Sequence, residues 1–400
     1  MVIGGHRRAA TRRQIGAVRA QAELALCLCL EDGGRHGRVR GMRQKAVSLL
    51  QELTEAHSVS GHEDEVRAIF VDELEQCGEL SADRNGSVFC EIGDSGPRVL
   101  VAGHMDEVGF MVQNITADGF VQFVAIGGWW EHNLLSQRVE ILTRSGDKIL
   151  GVVASCPPHF LPEGQRRQVM TIEQMFIDIG AVSARDAIEN FGVSLGDPIA
   201  PLSAFTPLAR EDWFMAKAFD NRVGMAATIQ AGQMLANSYH PNRLILCGTV
   251  QEEVGLRGAR TAASYATPDV AIILEGPPAD DTPGGPRADS QGRLGGGAQI
   301  RMFDPTAIGN PRLARLAIDT AREAGIVHQI TVRRSGGTDA GAFHLANDGI
   351  PCVVLGVPAR YIHSHNAIIN LQDYLQVLAL TIALVRALDE ATVAELTTYL

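Results

Sequence analysis

The sequence has few aromatic residues and little positive charge. Aromatic side chains make up 5% of the 400 residues, whereas glycine occurs 42 times, which favours an α/β protein with many tight turns over an aromatic-rich β-sandwich. The formal net charge is -11, so the chain lacks the basic face that nucleic-acid-binding proteins need. No uninterrupted apolar run reaches transmembrane length. We therefore expect neither a nucleic acid nor a membrane as a partner.

The cysteines follow neither a disulfide framework nor a structural zinc motif. There are seven of them, which is an odd number, and no Cys-x-x-Cys pair occurs. Cys247 and Cys352 lie inside apolar runs. This usage is typical of reduced, mostly buried thiols, and it predicts a cytoplasmic location.

The composition divides the chain into three segments. Residues 1–41 carry eight arginines and are expected to be a disordered or wrongly assigned extension, because a helical pattern begins at Met42. Residues 116–207 contain short alternating runs and turn signals, which predict an inserted β-rich domain. Residues 42–115 and 208–400 alternate aliphatic strands with helices. They predict an α/β domain with a largely parallel sheet covered by helices on both faces.

Acidic and imidazole side chains follow several of the predicted strands. In open α/β sheets, ligands bind outside the carboxyl ends of the strands, so these side chains are expected to meet at one edge. Asp220 precedes a predicted helix, from which its carboxylate could reach the same edge. The residues after strands are His104 and Asp106 after residues 99–102, Glu252 and Glu253 after 244–250, Glu275 after 270–274, and His363 after 351–357.

Each of these residues alone has an ordinary explanation. A single histidine after a strand is usually a polar core or surface residue, and an Asp-Asn pair before a helix is usually a cap. Together, two imidazoles and at least three carboxylates form the ligand set of a two-metal site. Mixed nitrogen and oxygen ligands suit zinc, cobalt or manganese, and the lack of a cysteine ligand disfavours a structural zinc knuckle.

Six motifs, in this order along the chain from about Met42 onward, resemble the M42 family of dinuclear metallo-aminopeptidases, some of which have been labelled glutamyl aminopeptidases or endoglucanases. Taken together they are highly specific, although each motif alone is not. The motifs are His104-Met105-Asp106-Glu107-Val108-Gly109, Phe219-Asp220-Asn221-Arg222, residues 250–258 around Glu252-Glu253, Leu274-Glu275-Gly276, Gly337-Thr338-Asp339-Ala340, and Arg360-Tyr361-Ile362-His363-Ser364.

The resemblance implies a role for each motif residue. Asp220 would bridge two divalent ions, with His104 and Glu275 completing one site and Glu253 and His363 the other. Glu252 would be the general base, and Asp106 would orient His104. Asp339 and Arg360 are candidates for contacts with the peptide substrate.

The resemblance also implies features outside the ligand set. A cis peptide bond would follow Asp220. The inserted segment would be a small barrel-like dimerisation domain, and dimers would assemble into shells of twelve subunits.

Three other functions remain open from the residues. A carboxypeptidase or an N-acyl amino-acid deacylase could use the same ligands, and a non-catalytic assembly protein could bind a structural ion at the same edge. A glycosidase is disfavoured, because its two carboxylates flank a sugar bond about 5 Å or more apart, whereas Glu252 and Glu253 are adjacent.

Overall fold

A computed structural model describes residues 36–284 and 290–400. The predicted extension lies mostly outside these residues, and the helix expected from Met42 begins earlier, at His36. The helices are α1 (His36–Glu55), α2 (Asp64–Leu74), α3 (Ala184–Glu189), α4 (Phe219–Leu235), α5 (Arg257–Ala266), α6 (Pro311–Glu323), α7 (Ala340–Phe343), α8 (Leu371–Ala387) and α9 (Glu390–Thr397). Short 3₁₀ turns occur at Glu131–Asn133, Pro158–Phe160, Gln165–Arg167 and Ile172–Gln174.

The strands within the described residues form three sheets. They are β1 (Glu79–Ala82), β2 (Val88–Ile92), β3 (Arg98–His104), β4 (Gly109–Ile115), β5 (Val121–Ile126), β6 (Arg138–Leu142), β7 (Lys148–Ala154), β8 (Phe176–Asp178), β9 (Pro198–Pro201), β10 (Thr206–Pro207), β11 (Trp213–Ala216), β12 (Arg243–Thr249), β13 (Val270–Glu275), β14 (Ala298–Asp304), β15 (Ala307–Ile308), β16 (His328–Val332), β17 (Cys352–Gly356), β18 (Ala359–Arg360) and β19 (Ala367–Asn370).

The large sheet carries the order β1-β2-β12-β3-β13-β17-β14-β15, with β16 paired to β14. The central strands β12, β3, β13 and β17 run parallel, whereas β2 and β14 pair with them in antiparallel fashion. The predicted α/β fold is therefore confirmed, with a parallel centre of the sheet and antiparallel pairings on both sides of it. Within the described part of the chain, no helix is both long and apolar enough to cross a membrane.

Helices cover both faces of this sheet, which explains why its strands are apolar without alternation. Val99 and Val101 of β3 pack in a core with α1, α2, α4 and α8. Leu100 and Ala102 of the same strand point the other way, into a second core with α5 and α7. Successive side chains of a strand face opposite sides, so a strand covered on both faces needs an apolar residue at every position.

Six strands close into a barrel in the order β4-β5-β8-β7-β6-β9. Alternate residues such as Phe110, Phe123 and Ile141 fill its interior. The insertion predicted over residues 116–207 overlaps this barrel, whose strands begin at Gly109 and end at Pro201. A separate four-stranded sheet has the order β10-β11-β19-β18, and its strands do not pair with those of the large sheet or the barrel.

His57 is a buried imidazole between α1 and α2. The side chain is 1% exposed, and burial lowers the pKa of His57 to about 4 from its ordinary value of 6.5. Between these values the unfolded chain binds a proton on this residue that the folded chain excludes. The contribution of His57 to the free energy of unfolding is therefore complete above pH 6.5. It falls by about 3 kcal/mol as the pH is lowered from 6.5 toward 4.

Replacing His57 by glutamine should flatten the acid limb of the stability profile. We expect the free energy of unfolding, measured by urea titration of chelator-treated protein, to fall less steeply from pH 6.5 to 4 than it does in the parent. His159→Gln, which changes an exposed barrel residue, is the matched control and should keep the parental slope. An unchanged slope in His57→Gln would contradict this assignment.

Candidate metal centre

Polar side chains gather at the carboxyl ends of the parallel strands. His104 is the last residue of β3, and it lies opposite Thr249, the last residue of β12. Glu275 is the last residue of β13. Neighbouring parallel strands in register end at the same level of a sheet, which brings these side chains together as the sequence predicted.

Asp220 reaches this edge from the start of α4. This helix packs very closely on β3, because a Cβ at Gly103 would lie 2.8 Å from the carbonyl carbon of Gly224. The peptide bond between Asp220 and Asn221 is cis, as the resemblance implied. The Asn221 side chain donates a hydrogen bond of 2.8 Å to the Leu274 carbonyl oxygen, and this contact joins the start of α4 to the end of β13.

The first group of ligand atoms surrounds the His104 imidazole, which is 2% exposed. Its Nε2 lies 3.3 Å from Asp220 Oδ1 and 3.7 Å from Glu275 Oε2. Its Nδ1 lies 3.1 Å from the Asp106 carbonyl oxygen, which accepts a hydrogen bond from it. A proton on Nδ1 leaves the Nε2 lone pair free, the usual state of a metal-binding histidine.

The second group surrounds His363, whose side chain is one-third exposed. Its Nε2 lies 3.4 Å from Asp220 Oδ2 and 3.4 Å from Glu253 Oε1. Its Nδ1 lies 2.9 Å from the Gly128 carbonyl oxygen, which orients the ring as the Asp106 carbonyl orients His104. The two carboxylate oxygens of Asp220 thus face two different imidazoles.

The donor set fits divalent cations. His104, Asp220 and Glu275 place one ligand atom each within 4.8 Å of one another, and so do Asp220, Glu253 and His363. Glu275 Oε1 is buried and accepts no hydrogen bond. Burial raises the pKa of Glu253 and of Glu275, because charged carboxylates are costly away from water. A cation offsets this cost.

Glu252 belongs to the same cluster. Its Oε2 lies 3.9 Å from His104 Nε2, and its side chain is 11% exposed. The chain turns sharply before it, since Gln251 has φ of 54°. That left-handed conformation breaks the strand alternation, so adjacent Glu252 and Glu253 both reach the cluster.

Asp106 has a second contact set that the sequence did not reveal. Besides lying 3.4 Å from His104 Nδ1, its carboxylate accepts hydrogen bonds from the backbone N–H groups of Glu252 and Glu253, at 2.9 and 3.1 Å. Ser60 Oγ donates a further bond of 2.6 Å. Asp106 therefore ties the β3 turn to the loop that carries both glutamates.

The sequence also did not reveal a buried cluster of charged side chains next to the site. Glu107 Oε1 accepts hydrogen bonds from Lys217 Nζ at 2.6 Å and from an Arg222 N–H group at 3.1 Å. Lys217 also donates to the Ala56 carbonyl oxygen. Glu107 and Arg222 belong to the recognised motifs, but their pairing depends on a contact across more than 100 residues. This cluster, called the Glu107 clamp below, joins the turn after His104 to the segment carrying Asp220.

Neither of the two candidate substrate contacts belongs to the groups of ligand atoms. Asp339 is 1% exposed and accepts a hydrogen bond from Thr249 Oγ1. Arg360 forms a two-point ion pair with Asp281, at 2.7 and 2.6 Å, and its guanidinium lies 5.1 Å from the centre of the Trp213 ring. Their contacts with a substrate stay predictions.

Comparison with known proteins agrees with the motif resemblance. The family model described as M42 glutamyl aminopeptidase matches residues 86–380. A glutamyl aminopeptidase from Lactococcus lactis is 39% identical over 355 residues, which cover 88% of this chain and 98% of that protein.

Solved structures show the same fold. A TET aminopeptidase from a marine sediment thaumarchaeon superposes with a TM-score of 0.86 and 41% identity, covering 88% of this chain and all of that one. The TET1 peptidase of Pyrococcus horikoshii has a TM-score of 0.77 and 30% identity, covering 86% of this chain and all of the other. It is described as assembling into a tetrahedron or a large octahedral shell.

Proposed function

The chain belongs to the M42 family of peptidases and is a metal-dependent aminopeptidase, and we propose that it hydrolyses the first peptide bond of peptides with two divalent ions in the cluster described above. The observation that carries this proposal is the position of Asp220. Its two oxygens lie 3.3 Å from His104 and 3.4 Å from His363, so one carboxylate serves both ligand groups.

In this proposal, His104, Asp220 and Glu275 would hold one ion, and Asp220, Glu253 and His363 would hold the other. Zinc and cobalt suit these ligands best, and manganese is compatible with them. The three ligand carboxylates together carry a charge of -3. Two bound divalent ions would therefore leave the centre with a net positive charge, which would stabilise a hydroxide and the oxyanion that develops during the reaction. When bound, such ions acidify water and polarise the scissile carbonyl.

The protein side chains divide the remaining work. Glu252 takes the proton of the attacking water and delivers it to the leaving amine. Asp106 holds the His104 ring and the backbone of the Glu252–Glu253 loop through the contacts described above. Asp339 and Arg360 contact the substrate.

The architecture supports further proposals. We assign residues 42–115 and 208–400 to the catalytic domain, and residues 116–207 to a dimerisation domain. Exposed apolar side chains on the barrel support this role, including Leu150, Val152 and Phe160. Dimers would build a shell of twelve subunits. A cytoplasmic location is consistent with the five described cysteines, which are all unpaired.

Two requirements test this function, namely a free amino group on the substrate and a divalent metal ion. Protein stripped with a chelator should be inactive, and zinc, cobalt or manganese should restore hydrolysis of aminoacyl amides with a free amino group. The same amides with an N-acetyl group should remain intact, because an aminopeptidase recognises the free amine. Release of acetate from the blocked amides would instead support an N-acyl amino-acid deacylase, and metal-independent hydrolysis would refute the two-ion centre.

A further inference from the structure

The connector between α1 and α2, residues 56–63, packs against the turn that follows β3. The Ser58 hydroxyl donates a hydrogen bond of 2.9 Å to the Met105 carbonyl oxygen. The Ser60 hydroxyl donates one of 2.6 Å to the Asp106 carboxylate. The connector is thus fixed to one of the two loops of the metal centre, and its final residue reaches the other.

Glu63, this final residue, is a buried carboxylate with a contact outside its own helix. Its side chain is 3% exposed and, within the part of the chain that the structure describes, makes no capping hydrogen bond to α2. Its Oε1 instead accepts hydrogen bonds from the N–H groups of Gly61 and Gln251, at 2.7 and 3.2 Å. The second bond links the connector directly to the loop that carries Glu252.

Three consecutive N–H groups of that loop point at two buried carboxylates. The Gln251 N–H donates to Glu63, and those of Glu252 and Glu253 donate to Asp106. Successive N–H groups that converge in this way form a nest, which is a backbone concavity that binds anions. The nest includes Gln251 at φ of 54°, a left-handed conformation that is costly for a residue other than glycine. Hydrogen bonds to the carboxylates offset this cost.

The carbonyl side of the loop is held by the start of α5. The Val250 carbonyl oxygen accepts a hydrogen bond of 2.9 Å from the Gly258 N–H, and the Gln251 carbonyl oxygen accepts one of 3.2 Å from the Arg257 N–H. These backbone contacts do not involve Glu63. Substituting Glu63 should therefore leave the loop folded but remove the acceptor that fixes the Gln251 peptide.

We propose that Glu63 is a positioning residue for the general base, because its bond to the Gln251 N–H sets the direction in which the Glu252 side chain leaves the loop. The inference rests on the proposed aminopeptidase function, in which Glu252 takes the proton of the attacking water. Glu252 Oε2 lies 3.9 Å from His104 Nε2, so it works at close range. A misplacement of about 1 Å at such a site can lower the rate about 10²-fold.

Three substitutions separate the hydrogen bond of Glu63 from its charge. Glu63→Met keeps the length of the side chain and removes the acceptor. Glu63→Asp keeps the charge but is one methylene too short to reach the Gln251 N–H, and it preserves the test if the methionine variant does not fold. Glu63→Gln removes the charge and keeps the Oε1 acceptor. On a leucyl amide, kcat should fall about 10- to 100-fold in the methionine and aspartate variants and stay within about threefold of the parent in the glutamine variant, with KM little changed in all three.

The same three changes at Glu75, an exposed residue at the other end of α2, are the matched controls and should leave kcat unchanged. Burial raises the pKa of Glu63 to about 7, so the assays are run at about pH 8, where the parental carboxylate is ionised. All Glu63 variants should retain the parental metal content, because Glu63 belongs to neither group of ligand atoms.

A double variant tests whether Glu63 acts through Glu252. If it does, adding Glu63→Met or Glu63→Asp to Glu252→Gln should change kcat by less than about threefold, because the base whose position matters has already been removed. A purely structural role, such as distortion of the metal centre, would instead lower kcat in the double variant by the same factor as in the single variant.

The outcomes separate this inference from the function on which it rests. Hydrolysis of no free-amine amide by the metal-loaded parent would overturn the aminopeptidase function and the inference with it. Parental kcat in Glu63→Met and Glu63→Asp, with collapse of kcat in Glu252→Gln, would overturn the inference alone. Equal losses in all three Glu63 variants, or losses that add to that of Glu252→Gln, would also overturn it. Losses confined to the methionine and aspartate variants, absent at Glu75 and not additive with Glu252→Gln, would support it.

Discussion

Replacing Glu252 by glutamine should lower kcat by about 10²- to 10⁴-fold, the usual contribution of a general acid–base group. The reason is that glutamine keeps the size of the side chain but cannot accept the proton of the attacking water. The backbone N–H of Glu252 donates to Asp106, so the loop should keep its position in the variant. The measurements are kcat on a leucyl amide and the metal content of the purified protein.

Metal content distinguishes loss of the base from loss of the centre. Glu252→Gln should retain both ions, whereas Asp220→Asn should lose both, because Asp220 is common to the two ligand groups. A Glu252→Gln variant with parental kcat would refute the assigned mechanism. Metal loss in that variant would instead make Glu252 a ligand, a role consistent with its distance of 3.9 Å from His104.

Removing the carboxylate of the Glu107 clamp should destabilise the folded protein strongly. Lys217 and Arg222 are both buried, with side chains 3% and 0% exposed. In Glu107→Ala both side chains would lose the carboxylate that pairs with them, and Arg222 would keep its charge in a buried site. Breaking a buried ion pair in this way costs about 3–5 kcal/mol. The free energy of unfolding from urea titration, compared between parent and variant, measures this loss.

An exposed ion pair provides the matched control. Glu189 pairs with Arg185 on the surface of α3, where the two side chains are 57% and 82% exposed. Glu189→Ala should change the free energy of unfolding by less than about 1 kcal/mol, because water screens such pairs. If Glu107→Ala were as mild as Glu189→Ala, the clamp would contribute little to stability.

Much of the metal centre could be predicted from the sequence because of one property of parallel sheets. Strands such as residues 99–102 and 270–274 are apolar at every position, which identifies them as buried on both faces. The carboxyl ends of parallel strands meet at one edge, so the polar residue that follows each of them is placed by the strand alone. His104 and Glu275 lie at these ends in the structure.

Other parts depended on long-range packing and could not be predicted. The sequence by itself determined the fold class and the neighbourhood in which these ligands lie, because strand burial and strand ends are local properties of the chain. Only the tertiary structure decided that Glu107 meets Lys217 and Arg222, that Asp106 holds the loop of Glu252, and that Asp281 neutralises Arg360. These contacts join segments 79 to 146 residues apart. Their partners are selected by the packing of α4 and the loops around the sheet, and no local pattern encodes that choice.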